Sequence, residues 1–272
     1  MPLGLLILVA VVQGLTEFLP VSSSGHLMLI PILTDFTYQG KVIDVAAHVG
    51  ALIAVAIYLR LEIINITTAI LNFGRKDKAN ARLGLALILA TIPVIVIGYF
   101  VNYASWHWLE LVQTLAIANL VFAFVLWIAD RTPIKHNGLE MLSAHTAVIV
   151  GIFQILALIP GASRSGVTMS AARFLGYDRL TAARFSLLLS LPTIAGAGLL
   201  KLIDLLKSGN AALGIDAIIV VIFSASLAWA AIHWMMRWLT TSSFGVFIYY
   251  RLALGGLLLL ALEQGWLTPN IT

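Results

Sequence analysis

Six apolar stretches, near residues 42–61, 83–103, 111–129, 183–203, 215–238 and 249–267, are each long enough to cross a bilayer's hydrocarbon core of roughly 30 Å. Without water to bond exposed amides and carbonyls, stretches of this length can only be helices. The rest of the chain agrees: 61% of its 272 residues are hydrophobic and only 10% are charged, whereas about a quarter of a soluble domain is charged. The expected fold class is therefore an all-α polytopic membrane protein, read as a single membrane domain over residues 1–272. The N-terminal run MPLGLLILVAVVQ lacks the basic start of a signal peptide, and Gln13 and Glu17 stand where a cleavage site would need small residues, so it is expected in the mature fold. With no cysteine, disulfides, thiolate metal sites and thiol catalysis are excluded. The net charge of +4 does not point to nucleic acid, because the basic residues lie between apolar segments and form no continuous stripe.

Two further apolar runs, near 3–19 and 146–159, are too short to span and end in FLPVSSSGH (Phe18 to His26) and IPGASRSG (Ile159 to Gly166). Short apolar runs broken by Pro, Gly and Ser read as re-entrant hairpins. The two are related by an offset of 141 residues, which matches Gln13 to Gln154, Ser22 to Ser163, Ser24 to Ser165 and Gly25 to Gly166. Each half, about 1–130 and about 140–272, then reads as one hairpin followed by three spans. Three is odd, so the second half enters from the opposite side of the membrane, and the chain reads as an inverted repeat. Charge asymmetry sets the orientation. With the loop 60–82 in the cytoplasm, twelve cations fall inside (Arg60, Arg75, Lys76, Lys78, Arg82, Arg131, Lys135, Arg173, Arg179, Arg184, Arg237 and Arg251) and three outside (Lys41, Lys201 and Lys207), with Arg164 uncounted. The loop Asn102 to Glu110, rich in Trp and free of Lys and Arg, then belongs to the outer interface.

Irregular backbone at membrane depth survives only when buried in protein or lining a polar cavity. Two such turns entering from opposite sides would share one cavity near the midplane. Gln13 and Glu17, four residues apart on a helix, present a carboxamide and a carboxylate on one face. The first turn adds the hydroxyls of Ser22, Ser23 and Ser24, the amide of Gly25 and the imidazole of His26. The second adds Arg164 between Ser163 and Ser165, with Gly161, Gly166 and Thr168 nearby. Amides at a glycine-rich helix start cradle anions, and an arginine fork suits phosphate oxygens. One cation, many donors, one carboxylate and one titratable base fit cleavage of a phosphate ester or anhydride, and Glu17 beside diphosphate oxygens could hold Mg²⁺ or Ca²⁺.

QGLTE (Gln13 to Glu17), LPVSSSGH (Leu19 to His26) and PGASRSGVT (Pro160 to Thr168) resemble the motifs of the bacterial undecaprenyl-diphosphate phosphatase family, also called the bacitracin-resistance protein family. The similarity extends through DVAAHVGA (Asp44 to Ala51) and ARFSLLLS (Ala183 to Ser190). The resemblance implies hydrolysis of a C55 polyprenyl diphosphate to monophosphate and inorganic phosphate, with a divalent cation, at the outer face of the bacterial inner membrane, in the recycling of the lipid carrier for the cell wall. Carried over by residue, it implies Glu17 as the essential acid and metal ligand, Ser23 as the nucleophile, His26 as acid/base and Arg164 as the phosphate clamp. Ser163, Ser165 and Thr168 support the clamp, and Gln13 stands where the family often has glutamate. Attack by Ser23 and attack by water both remain open, as does oligomeric state, a homodimer included.

Other readings stand beside these. Inverted repeats with broken helices also build transporters and lipid flippases, here on architectural grounds alone. The acid-phosphatase superfamily shares SGH and SR elements, but it requires a histidine six positions beyond the arginine, where this chain has Ser170. His48, His107, His136, His145 and His233 stand in no donor-rich turn and read as interfacial or structural. Gln154 reads as a helix-packing amide.

Overall fold

In the computed structural model, which describes residues 1–34, 40–104, 106–207 and 214–268, eleven α-helices follow one another and no strand forms among the described residues. They are α1 (Leu3–Thr16), α2 (Ser23–Leu33), α3 (Lys41–Tyr58), α4 (Arg60–Leu71), α5 (Lys78–Ala104), α6 (Val112–Asp130), α7 (Ala144–Gln154), α8 (Arg164–Phe174), α9 (Arg179–Lys207), α10 (Ile215–Trp238) and α11 (Gly245–Glu263). Helices α5, α6, α9, α10 and α11 are each long and apolar enough to cross a membrane, and α3 with α4 makes a sixth candidate, bent by 81°. Many large apolar side chains on these helices stay exposed, among them Leu85, Ile88, Ile92, Ile218, Ile222 and Leu257. Such a surface suits acyl chains and would aggregate in water.

The bend is a departure from the expected plain loop over residues 60–82. Helix α3 stops at Leu59 (φ −103°, ψ 24°) and α4 starts at once with Arg60, burying Ile66 and Ala69. Its apolar spacing, Leu61, Ile63, Ile64, Ile66 and Ile70, is a helical pattern that the surrounding polar residues obscure. The turn after it closes through Phe73 and Gly74, both at positive φ, with the Gly74 amide donating to the Ala69 carbonyl.

The short helices fall where the broken runs were expected. Helix α1 ends at Thr16 and α2 begins at Ser23; α7 ends at Gln154, a single turn of 3₁₀-helix covers 155–158, and α8 begins at Arg164. Adding 141 to the bounds of α2 gives those of α8. The packing partners exchange in the same way: α1 lies on α10 as α7 lies on α5, and α3 lies on α10 as α9 lies on α5. Small residues allow these close approaches. A Cβ at Gly14 would sit 2.8 Å from the Ser224 carbonyl oxygen on α10, and one at Gly151 would sit 2.6 Å from the Ala90 carbonyl oxygen on α5.

Two arginines expected in cytoplasmic loops prove to be inside the protein. Arg173, 2% exposed, donates to the carbonyls of Asp130, Thr132 and Tyr177, which fixes the end of α8 to the segment after α6. Arg251, fully buried on α11, is described below. Ten of the twelve cations remain as topology signals on that side. The side chains of Lys41, Lys201 and Lys207, expected outside, lie outside the described residues.

Candidate active site

Each serine turn is built by a helix-start device that the sequence encodes locally. Ser22 and Ser163 hold left-handed backbone, at φ 73° and 69°, and their hydroxyls accept from the amides of Gly25 and Gly166, three residues on. This is N-capping, which satisfies one of the amides that a helix start leaves without an intrahelical acceptor. It also means that the Gly25 and Gly166 amides serve the caps and are not directed at an anion. Within each turn the paired hydroxyls meet again, Ser22 with Ser24 at 3.4 Å and Ser163 with Ser165 at 3.1 Å.

The two turns are joined to one another. The Ser165 hydroxyl donates to the Leu19 carbonyl at 2.8 Å. Arg251, 0% exposed, donates to the Pro20 carbonyl of the first turn and to the Gly161 and Ala162 carbonyls of the second, at 3.3, 2.7 and 3.0 Å. Gly161 (φ +93°) lets the second turn lie against α6, because a side chain there would strike the Leu115 carbonyl. Thr168 lies behind the turn, bonded to the Arg164 carbonyl at 2.9 Å and to the Ser186 hydroxyl at 2.7 Å.

With the turns so held, Glu17 at the end of α1 meets Arg164 at the start of α8. The Arg164 Nη2 atom donates to Glu17 Oε1 at 3.0 Å across 147 residues of sequence, and both side chains are largely buried. The other carboxylate oxygen, Oε2, accepts from Gln13 Nε2 at 2.9 Å and from the Ser23 hydroxyl at 2.7 Å. Arg164 is further placed by the Ser186 carbonyl and by Phe18, whose ring centre is 5.8 Å from the guanidinium carbon. Glu17, Ser22, Ser23, Ser24, Ser163 and Arg164 all line one cavity of about 440 Å³. The rest of its lining is mostly apolar and includes Val94, Ile95 and Gly98 of α5 and Ile194, Ala197 and Gly198 of α9. A charged, donor-rich part joined to an apolar part is the make-up of an amphiphile's headgroup site.

The 141-residue relation shows how two similar turns become one asymmetric site. Ser23 and Arg164 occupy the same position in the two halves, the first residue of α2 and of α8. Glu17 matches Leu158, and Gln13 matches Gln154. A hydroxyl and a carboxylate on one side thus face a guanidinium on the other.

Not every expected site residue reaches the cavity. Gln13, Gly25, Gly161, Ser165, Gly166 and Thr168 form the frame behind it. His26, expected as the acid/base, is not among the cavity-lining residues. Its Nδ1 meets the Ser22 carbonyl at 2.7 Å, its Nε2 meets the Tyr250 hydroxyl, and the two rings stack at 5.6 Å. The imidazole follows the helix: three residues beyond Ser23 on α2, it faces α11. Conversely His48, expected to be structural, lines the cavity with its Nδ1 on the Asp44 carbonyl at 2.7 Å. No turn motif surrounds His48; the available signal was its place in DVAAHVGA, and the packing of α3 against α1 and α9 brings it to the cavity. Gln154 lines the cavity too, and its place in the repeat was the available signal.

Among the described residues no group of three or more His, Asp or Glu gathers as a ligand set for a metal. Among the described residues Glu17 is the one carboxylate in the cavity wall. Beside it Gln13 Oε1 is buried without a hydrogen-bond partner, its amide nitrogen being spent on Glu17. Gln13 lies behind the cavity wall and turns its nitrogen, not this oxygen, to Glu17, so the cavity offers Mg²⁺ or Ca²⁺ the Glu17 carboxylate, which fits a single weakly held cation better than a closed metal cage.

The profile of the family described as "Bacitracin resistance protein BacA" matches residues 6–257. Proteins named undecaprenyl-diphosphatase are similar along nearly their whole length. That of Dinoroseobacter shibae is 44% identical over 261 residues, covering 94% of this chain and 97% of its own. That of Alteromonas mediterranea is 41% identical over 260 residues, covering 93% and 96%. That of Maricaulis maris is 44% identical over 262 residues, covering 94% and 97%. With a profile match from α1 to α11 and relatives of this identity, the chain belongs to the bacitracin resistance protein family.

Proposed function

We propose that this protein hydrolyses undecaprenyl diphosphate to undecaprenyl phosphate and inorganic phosphate in the bacterial inner membrane. The single observation that carries the mechanism is the bridge Ser23–Glu17–Arg164, which puts a hydroxyl, a base and a cation in one buried chain at the mouth of both turns. The names and near-complete coverage of the relatives support the activity and substrate.

The diphosphate enters the donor-rich end of the cavity and the first isoprene units lie along the apolar wall of α5 and α9. The rest of the tail passes into lipid. Glu17 Oε2 takes the Ser23 proton as the hydroxyl oxygen attacks the terminal phosphorus. The bridging P–O bond breaks with its electron pair left on the polyprenyl monophosphate, which then receives the proton from Glu17. Arg164 and the hydroxyls of Ser22, Ser24 and Ser163 hold the charge that develops on the transferred phosphoryl group. Water then hydrolyses the phosphoserine. His26 and Tyr250 hold the first turn from outside the cavity. Mg²⁺ or Ca²⁺ would be held by Glu17, and when bound it supplies charge neutralisation for the diphosphate.

The positional match of the two turns and the exchange of helix partners support an inverted repeat in which the hairpins enter from opposite sides. The excess of cations at one end supports placing that end in the cytoplasm and the Trp106–Trp108 end outside, with the cavity reached from the outer face. Detergent-solubilised protein given a prenyl diphosphate should release phosphate, and Glu17→Gln should reduce the rate by about 10² to 10⁴. Movement of the lipid across a bilayer without phosphate release would favour a flippase instead.

A further inference from the structure

The chemistry above leaves one buried, unpaired acceptor of the cavity wall without a role. Gln154, at the end of α7, is 0% exposed and lines the cavity, yet its Oε1 has no hydrogen-bond partner in the protein. Its Nε2 points at the Ala90 carbonyl of α5, 3.4 Å away. That contact fixes the amide's sense, since turning it over would set two acceptor oxygens against each other. The helix is also pinned there: at Gly151, one turn earlier, α7 comes so close to α5 that a Cβ would stand 2.7 Å from the Ala90 Cα. The carboxamide is therefore held in place at the cavity wall, with its oxygen turned away from Ala90.

What such an atom binds follows from its chemistry. A carbonyl oxygen only accepts, and phosphate oxygens also only accept when ionised. Gln154 Oε1 therefore does not bind the diphosphate, for which the cavity already provides hydroxyls and Arg164. It needs a donor. Its counterpart Gln13 is turned to Glu17, whereas the position four residues beyond Gln154, where the first half has that carboxylate, is Leu158. Gln154 thus has no neighbouring acid to serve, and its unpaired acceptor belongs to a residue of the same cavity wall as Ser23 and Glu17.

We propose that Gln154 Oε1 is the acceptor that orients the water attacking phosphoserine in the second half-reaction. In that step the water oxygen bonds to phosphorus and the P–Oγ bond of Ser23 breaks, its electron pair remaining on Oγ. One water proton passes through Glu17 to Oγ. The other, held by Gln154 during attack, stays on the departing hydrogen phosphate. Gln154 itself takes no proton. The assignment rests on the Ser23 displacement proposed above.

Rapid-quench kinetics on the full-length protein in detergent, with farnesyl diphosphate labelled in its terminal phosphate, tests it. Gln154→Leu should release farnesyl monophosphate in a burst equal to the enzyme present. Label should stay on Ser23, and steady phosphate release should fall by at least about tenfold. Gln154→Glu restores an acceptor oxygen at the same reach, so it should recover release and add a new ionisation limb to its pH profile, which a merely structural residue would not do. This second variant decides the matter where the leucine variant does not fold. Parental release by Gln154→Leu, equal slowing of both products without a burst, or a glutamate variant with neither recovery nor a new limb overturns the assignment. So does a change confined to the Mg²⁺ concentration needed for activity, which would make Gln154 a cation ligand. Failure of the Ser23 displacement shows separately, as parental enzyme that never carries label and Ser23→Ala at the parental rate.

Discussion

At the scale of single residues, the fold depends on charges placed where lipid proteins can least tolerate them. Arg251 has no carboxylate partner in the hydrogen bonds that hold it; three carbonyls from two turns receive its donors. A buried cation bonded only to carbonyls is costly to desolvate, which makes sense where it joins two chain segments that otherwise meet through the Ser165–Leu19 bond and the Glu17–Arg164 pair. Arg251→Met should leave those carbonyls unpaired and lower stability by at least about 2 kcal/mol, seen as earlier thermal inactivation in detergent. Arg251→Lys should recover part of the loss, because one ammonium reaches the carbonyls of one turn but lacks the fork that spans both. None of this was legible from the sequence, in which an arginine inside an apolar run reads as a topology marker. The role appears only once Pro20 and Gly161, 141 residues apart, come to the same place. Ser22, Ser23, Ser163 and Arg164 were legible, because helix-start chemistry is local and writes itself into adjacent residues. His26 was misplaced for the same reason: its neighbourhood in sequence is the turn, but its direction is set by the helix that follows.

At the scale of elements, broken helices need rigid neighbours, and glycine supplies the contact. Gly151 packs its backbone on Ala90, so Gly151→Val should overpack α7 against α5 and cost about 1–3 kcal/mol. Gly98 lies in the cavity wall, where an added Cβ would meet Leu158 at an ordinary 3.5 Å, so Gly98→Ala should change stability by less than about 0.5 kcal/mol. Melting the two variants side by side in one detergent checks the contrast. Hydrophobic length identified the spanning helices and the two short ones, since the bilayer's thickness acts directly on residue count. It did not identify α4, because a helix that turns 81° from its predecessor is set by the backbone at Leu59 and not by any change in hydropathy.

At the scale of the whole molecule, a duplicated half builds a site that neither half contains. The first half contributes the hydroxyl and the carboxylate, the second the guanidinium, with Ser23 and Arg164 at matching positions of the 141-residue offset. Their insertion from opposite sides can be read by labelling, since the chain has no cysteine of its own. A single cysteine at Trp108→Cys, between α5 and α6 of the first half, should react with an impermeant maleimide from the outer side, and one at Thr241→Cys, in the corresponding loop between α10 and α11 of the second half, from the cytoplasmic side. Both reacting from one side would contradict the topology. The most direct test of the site itself is a double-mutant cycle on Glu17 and Arg164, read as the initial rate of phosphate release from a prenyl diphosphate. Because the two side chains act as one unit, Glu17→Gln and Arg164→Gln should each lower the rate by about 10² or more, and the double variant should be little slower than the slower single one. A parental rate in either single variant, or losses that multiply in the double one, would mean that the two turns do not meet around a common reaction.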